Sequence, residues 1–62
     1  MRIEILTLAR DMVGNTAEIR AEILEPIATY WRVKDIIRIE IIGGARMTEA
    51  ELRTYIEGAY NG

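Results

Sequence analysis

The sequence predicts an α/β fold: a two-layer domain in the order β-α-β-α, whose parallel two-stranded sheet is extended by oligomerisation. Two segments, residues 2–9 and 35–42, are rich in β-branched residues and alternate between apolar and charged side chains. A long segment with helical spacing joins them, and a shorter one follows a glycine pair. Folded domains rarely have fewer than about 50 residues. The 62 residues are therefore expected to form a single domain, residues 1–62.

The first predicted strand covers residues 2–9, RIEILTLA. Its first half alternates, with isoleucines on one face and charged residues on the other. The alternation slips after Ile5, so that Leu6 and Leu8 fall on the charged face. Either a β-bulge lies at this point, or the far end of the strand is buried on both faces.

A capping box formed by Asn15 and Glu18 predicts the start of a first, long helix. Its apolar residues span an arc of about 200°, which is wider than the roughly 100° stripe that one sheet face needs. Two residues fit this helix poorly. Arg20 lies in the middle of the apolar arc, and Pro26 lies mid-helix, where it is expected to kink the helix or split it.

The second predicted strand covers residues 35–42, DIIRIEII, and ends at Gly43-Gly44. A second capping box, Thr48 with Glu51, predicts the start of a second helix. The expected end of this helix is marked by Gly58, Asn61 and Gly62. Because a helix connects the two strands, we expect them to be parallel neighbours with a right-handed crossover.

Self-association is expected from the size of this fold. Two strands about 4.8 Å apart form a sheet too narrow to cover two helices of about 10 Å diameter. One core in so short a chain seldom supplies more than about 3–5 kcal/mol, and no cysteine is present to form a stabilising disulfide. We therefore expect a homodimer or a higher oligomer. The candidate interface residues are Leu6, Leu8, Tyr30, Trp31, Ile36 and Ile42.

The composition excludes several classes of protein. Half of the residues are hydrophobic and 29% are charged, which is typical of a globular domain. No apolar run approaches the roughly 18 residues that a transmembrane helix needs, so no membrane partner and a cytoplasmic location are expected. The absence of cysteine excludes disulfides, and the absence of histidine removes the commonest metal ligand and the usual general base.

The amino-acid usage also bears on origin. Serine, glutamine, phenylalanine, histidine and cysteine are all absent, and arginine outnumbers lysine by 7 to 1. This usage is typical of a GC-rich or phage genome, or of a designed or generated sequence. A scaffold without biological activity is therefore the alternative to the leading expectation, a small acidic non-enzymatic module that binds proteins and self-associates.

No enzyme activity and no cofactor are expected, because nothing in the chain activates its five threonines or its single lysine. A weaker alternative is phosphate binding at the glycine loop. If the strands are parallel, helix N-termini and arginines meet at one edge, which attracts anions. The candidate residues are Arg10, Gly43, Gly44, Arg46 and Thr48. The other interpretation of the glycine pair is a turn that needs positive φ.

Charge patterning gives one further candidate surface. On the predicted first helix, Glu18, Glu22 and Glu25 form an acidic stripe that suits a basic protein partner, or is simply a solvated face. Nucleic acid is not expected as a partner, because a chain with a net charge of −2 repels phosphates.

Overall fold

The protein is a three-stranded antiparallel sheet followed by one helix, as seen in a computed structural model that describes residues 1–61. The elements are β1 (Arg2–Asp11), β2 (Thr16–Ile27), β3 (Tyr30–Ile42) and α1 (Glu49–Asn61). The strands lie in the order β1-β2-β3. The prediction of a β-α-β-α domain with a parallel two-stranded sheet is therefore wrong. The two predicted strands exist within β1 and β3 and run in the same direction, but β2 separates them.

The error lies in residues 16–27, which form β2 and not a helix. Alternate side chains of this strand are buried, namely Ala17, Ile19, Ala21 and Ile23. Ile19, Ile23 and Ile27 are four residues apart, a spacing that keeps them on one face of a helix and also on one face of a strand. The apolar spacing alone could not separate the two structures.

The two residues that fitted a helix poorly are explained by the strand. Arg20 is exposed on the face opposite Ile19 and Ala21, so it needs no buried partner. Pro26 lies near the end of β2, opposite Trp31, in a hairpin that extends past β1. Asn15 is not a helix cap. It lies in the β1–β2 turn with a φ of 54°, a left-handed conformation that asparagine tolerates.

Two irregularities bend the sheet. The β1–β2 register shifts between Ile5 and Thr7, which makes Leu6 the extra residue of a β-bulge. Of the two explanations for the slipped alternation, the bulge is the correct one. The β2–β3 register shifts at Leu24, where Lys34 is the extra residue. Beyond Lys34 the ladder is regular through Ile42.

The core lies between one face of the sheet and α1. It consists of nine buried hydrophobic residues, of which three are alanines. The larger members are Ile3, Ile19, Ile23, Ile41, Leu52 and Ile56. Further isoleucines, Ile37 and Ile39, are only half-buried against this cluster. The core is therefore small, even for a chain of this length.

The second capping box is confirmed. The Thr48 N–H donates to Glu51 Oε1 at 2.9 Å, and the Glu51 N–H donates to Thr48 Oγ1 at 3.1 Å. The Thr48 N–H and, to a smaller extent, the Thr48 hydroxyl stabilise the ionised carboxylate and lower the pKa of Glu51. The helix continues through Gly58 to Asn61, and Gly62 lies outside the described residues. Within residues 1–61, no helix is long and apolar enough to cross a membrane.

Candidate interaction surfaces

The sheet has one covered face and one open face. Helix α1 packs against the face that carries Ile19 and Ile23, and no other element of residues 1–61 covers the opposite face. We call this opposite side the outer face. In β2 it carries Glu18, Arg20 and Glu22, which alternate with the buried residues of the same strand.

Charges of the same sign lie opposite each other on the outer face. The β2–β3 register pairs Arg20 with Arg38 and Glu18 with Glu40. Within the described part of the chain, none of these four side chains forms an ion pair. Like charges directly opposite one another destabilise an antiparallel pair. The charges of β3 are therefore poorly matched to those of β2.

The outer face becomes apolar towards the β2–β3 hairpin. Trp31 lies opposite Pro26, and Val33 lies opposite Leu24. The Trp31 side chain is 46% exposed, and the Arg2 guanidinium carbon lies 5.9 Å from the centroid of its ring, a cation–π distance. This end of the sheet thus combines an exposed aromatic with a cation.

The candidate interface residues from the sequence are not all on one surface. Leu8 packs against the core and is half-buried, so it does not share the exposed position of Leu6 in the bulge. Ile36 and Ile42 are exposed on β3, at 53% and 83%. Tyr30 and Trp31 are exposed at the hairpin end. The structure therefore brings four of these six residues onto one strand, β3.

The glycine loop is held by internal hydrogen bonds. Because β1 and β3 run in the same direction, their ends meet at one edge, and Arg10 Nη1 donates to the carbonyl oxygens of Ala45 (2.8 Å) and Met47 (2.6 Å). The Gly43 N–H donates to the Asn15 carbonyl at 2.7 Å, and the Gly44 N–H donates to Ile41 at 3.2 Å.

Two further members of this candidate anion site follow the glycine pair. The Thr48 N–H is bonded to Glu51, and Arg46 is an exposed loop residue. The expected convergence of Arg10 with the loop is present, but the amides of Gly43, Gly44 and Thr48 already have acceptors. The arginine and the loop serve to position the start of α1.

The acidic stripe is divided by the strand geometry. Glu18 and Glu22 are on the outer face, whereas Glu25 falls on the other face of β2 because of the two-residue alternation. Glu25 forms an ion pair with Arg32, its neighbour in the ladder. The three carboxylates therefore do not form one surface.

A polar cluster fixes the end of α1 to β3. The Tyr60 hydroxyl donates to Asp35 Oδ2 at 3.3 Å, and Lys34 Nζ lies 5.8 Å from the centroid of the Tyr60 ring. Burial, together with the negative charge of Asp35, raises the pKa of Tyr60. The last turn of the helix therefore lies close to Asp35 of β3.

The free edge of β3 is a further candidate surface. In a sheet of order β1-β2-β3, the strand has β2 on one side only. It is 13 residues long and carries five isoleucines. A free edge is also expected for each strand of the predicted two-stranded sheet. What differs is the neighbour of this strand, which is β2 and not β1.

Comparisons with known proteins add no functional information, because no family model, no curated protein and no solved structure matches the chain. Within residues 1–61, no group of three or more acidic, histidine or cysteine side chains is arranged to hold a metal ion. The open surfaces of the sheet are therefore the features from which a function can be argued.

Proposed function

We propose that the protein is a small non-enzymatic interaction module that self-associates and acts through contacts between proteins. The observation that carries the proposal is the free edge of β3, where Ile36 is 53% exposed and Ile42 is 83% exposed. An edge strand presents a row of unpaired N–H and C=O groups, which favours pairing with another strand. A long, isoleucine-rich edge of this kind favours a partner strand over water.

The other edge of the sheet is less suited to pairing. β1 contains the bulge at Leu6, and bulges are one of the devices by which proteins protect an edge. Its Arg2 is engaged within the strand, where Nη2 lies 3.0 Å from Glu4 Oε1. The contrast between the two edges makes β3 the preferred surface for self-association.

The small core also supports self-association. Three of the nine buried hydrophobic residues are Ala17, Ala21 and Ala45, which contribute little apolar area each. Chains below about 70–80 residues usually need an additional source of stability. With no cysteine in the chain, burial of surface between copies can supply it.

Light scattering after size exclusion, across a hundredfold dilution, tests the proposal. We expect a mass of twice the 7.1 kDa chain, or a higher multiple, that falls as the protein is diluted. Ile42→Lys should lower this mass by placing a charge on the edge. The matched control is Val13→Lys, at a turn residue that is fully exposed. A 7.1 kDa mass at every concentration would overturn the proposal.

The alternative proposal is a designed or generated scaffold without a biological task. Its support is the skewed amino-acid usage, which lacks five residue types. It predicts a very high melting temperature and no copurifying protein. The leading proposal, a natural interaction module in the cytoplasm, predicts a protein that copurifies from its own host.

A further inference from the structure

We infer that β3 pairs antiparallel with β3 of a second copy, in the register that places Ile39 on the two-fold axis. The inference rests on the proposed self-association and specifies its geometry. Three features support this register: the direction of the backbone groups, the charges of β3 and the exposed isoleucines on either side of Ile39.

The backbone determines which residues can bond to a second copy. The Gly43 N–H donates to the Asn15 carbonyl, so these two residues form a hydrogen-bonded pair. Bonded and non-bonded pairs alternate along an antiparallel ladder. The N–H and C=O groups that point away from β2 therefore belong to Ile36, Arg38, Glu40 and Ile42. In agreement, the Ile36 N–H donates at 2.8 Å to the Asp35 carboxylate.

This alternation limits the possible registers. An outward-facing residue must lie opposite another outward-facing residue. Because these residues alternate along β3, the two strands can shift relative to each other only by two residues at a time. Placing Arg38 on the axis brings two arginines together, and placing Glu40 there brings two glutamates together. Placing Ile39 on the axis sets Arg38 of each copy opposite Glu40 of the other, which gives two pairs of opposite charge. Of these three registers, only the central one places opposite charges directly opposite each other.

The local sequence is symmetric about the same residue. Residues 36–42 are IIRIEII, which is the same in both directions except that arginine and glutamate exchange. In the inferred register, Ile36 faces Ile42 of the second copy, which covers two of the exposed isoleucines. The edge is therefore complementary to itself in both shape and charge.

The inferred pairing also explains charges that the single chain does not satisfy. Within one copy, Arg38 lies opposite Arg20 and Glu40 lies opposite Glu18. A second copy supplies the opposite charge to each of the two β3 residues. Pairing exchanges the Ile36–Asp35 bond for one to the second copy, and the other outward-facing groups gain partners.

The helix side of the edge is also suited to a second copy. Half-buried Ile37 and Ile39 line a groove between β3 and α1, with Ile56, Ala59 and Tyr60 on its other wall. In the inferred register, Ile37 faces Ile41 of the second copy and Ile39 faces its own counterpart. The product is a six-stranded sheet with both helices on the same face.

Charge exchange tests the register. Arg38→Glu places a glutamate opposite Glu40 of the second copy, and should weaken dimerisation about tenfold to hundredfold. Glu40→Arg should do the same. Carrying both changes in one chain should restore the dimer, and mixing the two single variants should give a heterodimer. Arg38→Glu also removes the like-charge pair with Arg20, so the fold is expected to be retained, as circular dichroism will show.

Oxidation of a single introduced cysteine provides the second test. Ile39→Cys lies on the axis in a non-hydrogen-bonded pair, where Cα atoms about 4.5 Å apart are within reach of a disulfide. The matched control is Ile37→Cys, on the same face of the strand. In the inferred register, residue 37 of the second copy lies four residues along the strand, about 13 Å away. We expect a cross-linked dimer from Ile39→Cys and none from Ile37→Cys.

The outcomes separate the inference from the proposed function. A wild-type monomer at every concentration overturns both. A wild-type dimer that is unaffected by Arg38→Glu, or in which Ile37→Cys cross-links as well as Ile39→Cys, overturns the register and leaves self-association through another surface. Loss of the dimer in both single variants, recovery in the double variant and selective cross-linking at position 39 support the inference.

Discussion

Arg20 and Arg38 lie directly opposite each other in the β2–β3 ladder, on the face of the sheet that α1 does not cover. The Glu18–Glu40 pair beside them repeats the mismatch with negative charge. Both pairs oppose folding of the single chain. They are consistent with a β3 strand whose charges are matched to a second β3 strand instead of to β2.

Replacing Arg20 with threonine should stabilise the fold, because it removes the repulsion with Arg38 and introduces a residue favoured in strands. We expect a gain of about 0.5 kcal/mol in the free energy of unfolding at low salt, and a smaller gain at high salt. Urea unfolding at one fixed protein concentration measures it. Arg46→Thr, at an exposed loop position, is the control. A loss of stability in Arg20→Thr would show that the pair is not repulsive.

Arg10 should be a structural residue of the glycine loop. Arg10→Ala removes two charge-assisted bonds to Ala45 and Met47, and should destabilise the protein by about 1–2 kcal/mol. Arg46→Ala, which lies in the same loop, should change stability by less than about 0.5 kcal/mol. Denaturant unfolding of the two variants measures the difference. Equal effects would contradict the role assigned to Arg10.

Two glycines should respond in opposite directions to alanine. At Gly44 an added Cβ would lie 2.7 Å from Ile41 Cγ2 and 3.1 Å from the Ile41 carbonyl oxygen. Gly44→Ala should therefore destabilise the protein by about 1–3 kcal/mol. Gly58 lies in α1 with no atom within 4 Å of an added Cβ, so Gly58→Ala should stabilise it by up to about 1 kcal/mol. Thermal melting of both variants measures the direction of each change in stability. An increase in stability for Gly44→Ala would contradict the predicted clash with Ile41.

The capping box should make the stability of the fold depend on pH in the acidic range. The pKa of Glu51 is lowered in the folded protein. The carboxylate therefore contributes its full stabilisation when the pH is above its ordinary pKa of 4.5, and this stabilisation is lost as the pH falls through the lowered pKa of the folded state. Glu51→Gln keeps an acceptor oxygen but does not titrate.

The stability difference between wild type and Glu51→Gln should shrink as the pH is lowered from about 7 to about 3. Urea midpoints across that range measure it. Glu57→Gln, on the same helix and without a hydrogen bond within residues 1–61, serves as the control. A pH-independent difference for Glu51→Gln would mean that the Thr48 contact does not hold the carboxylate.

The sequence predicted the elements whose local chemistry is unambiguous. Alternating isoleucines predicted strands at 2–9 and 35–42, and the capping box at Thr48 predicted the start of α1. Each of these depends on neighbouring residues only. The bulge at Leu6 was one of two stated alternatives, because a slipped alternation is also produced by burial on both faces.

The sequence could not determine the structure of residues 16–27 by apolar spacing. Alanine, glutamate and leucine there favour a helix, and tertiary packing overrides that preference. Arg20 in an apolar arc and Pro26 inside a helix were the two observations against it. The prediction of a helix here led to the prediction of a parallel sheet. It also grouped Glu25 with Glu18 and Glu22, although the strand places Glu25 on the opposite face.

Amide hydrogen exchange on β3 tests the central claim most directly. Without a second copy, the amides of Arg38, Glu40 and Ile42 face solvent, while those of Ile39 and Ile41 bond to β2. We expect all five to be protected at high protein concentration, and protection of the three outward-facing amides to be lost on dilution. Rapid exchange of Arg38, Glu40 and Ile42 in samples that light scattering shows to be dimeric would contradict pairing through β3.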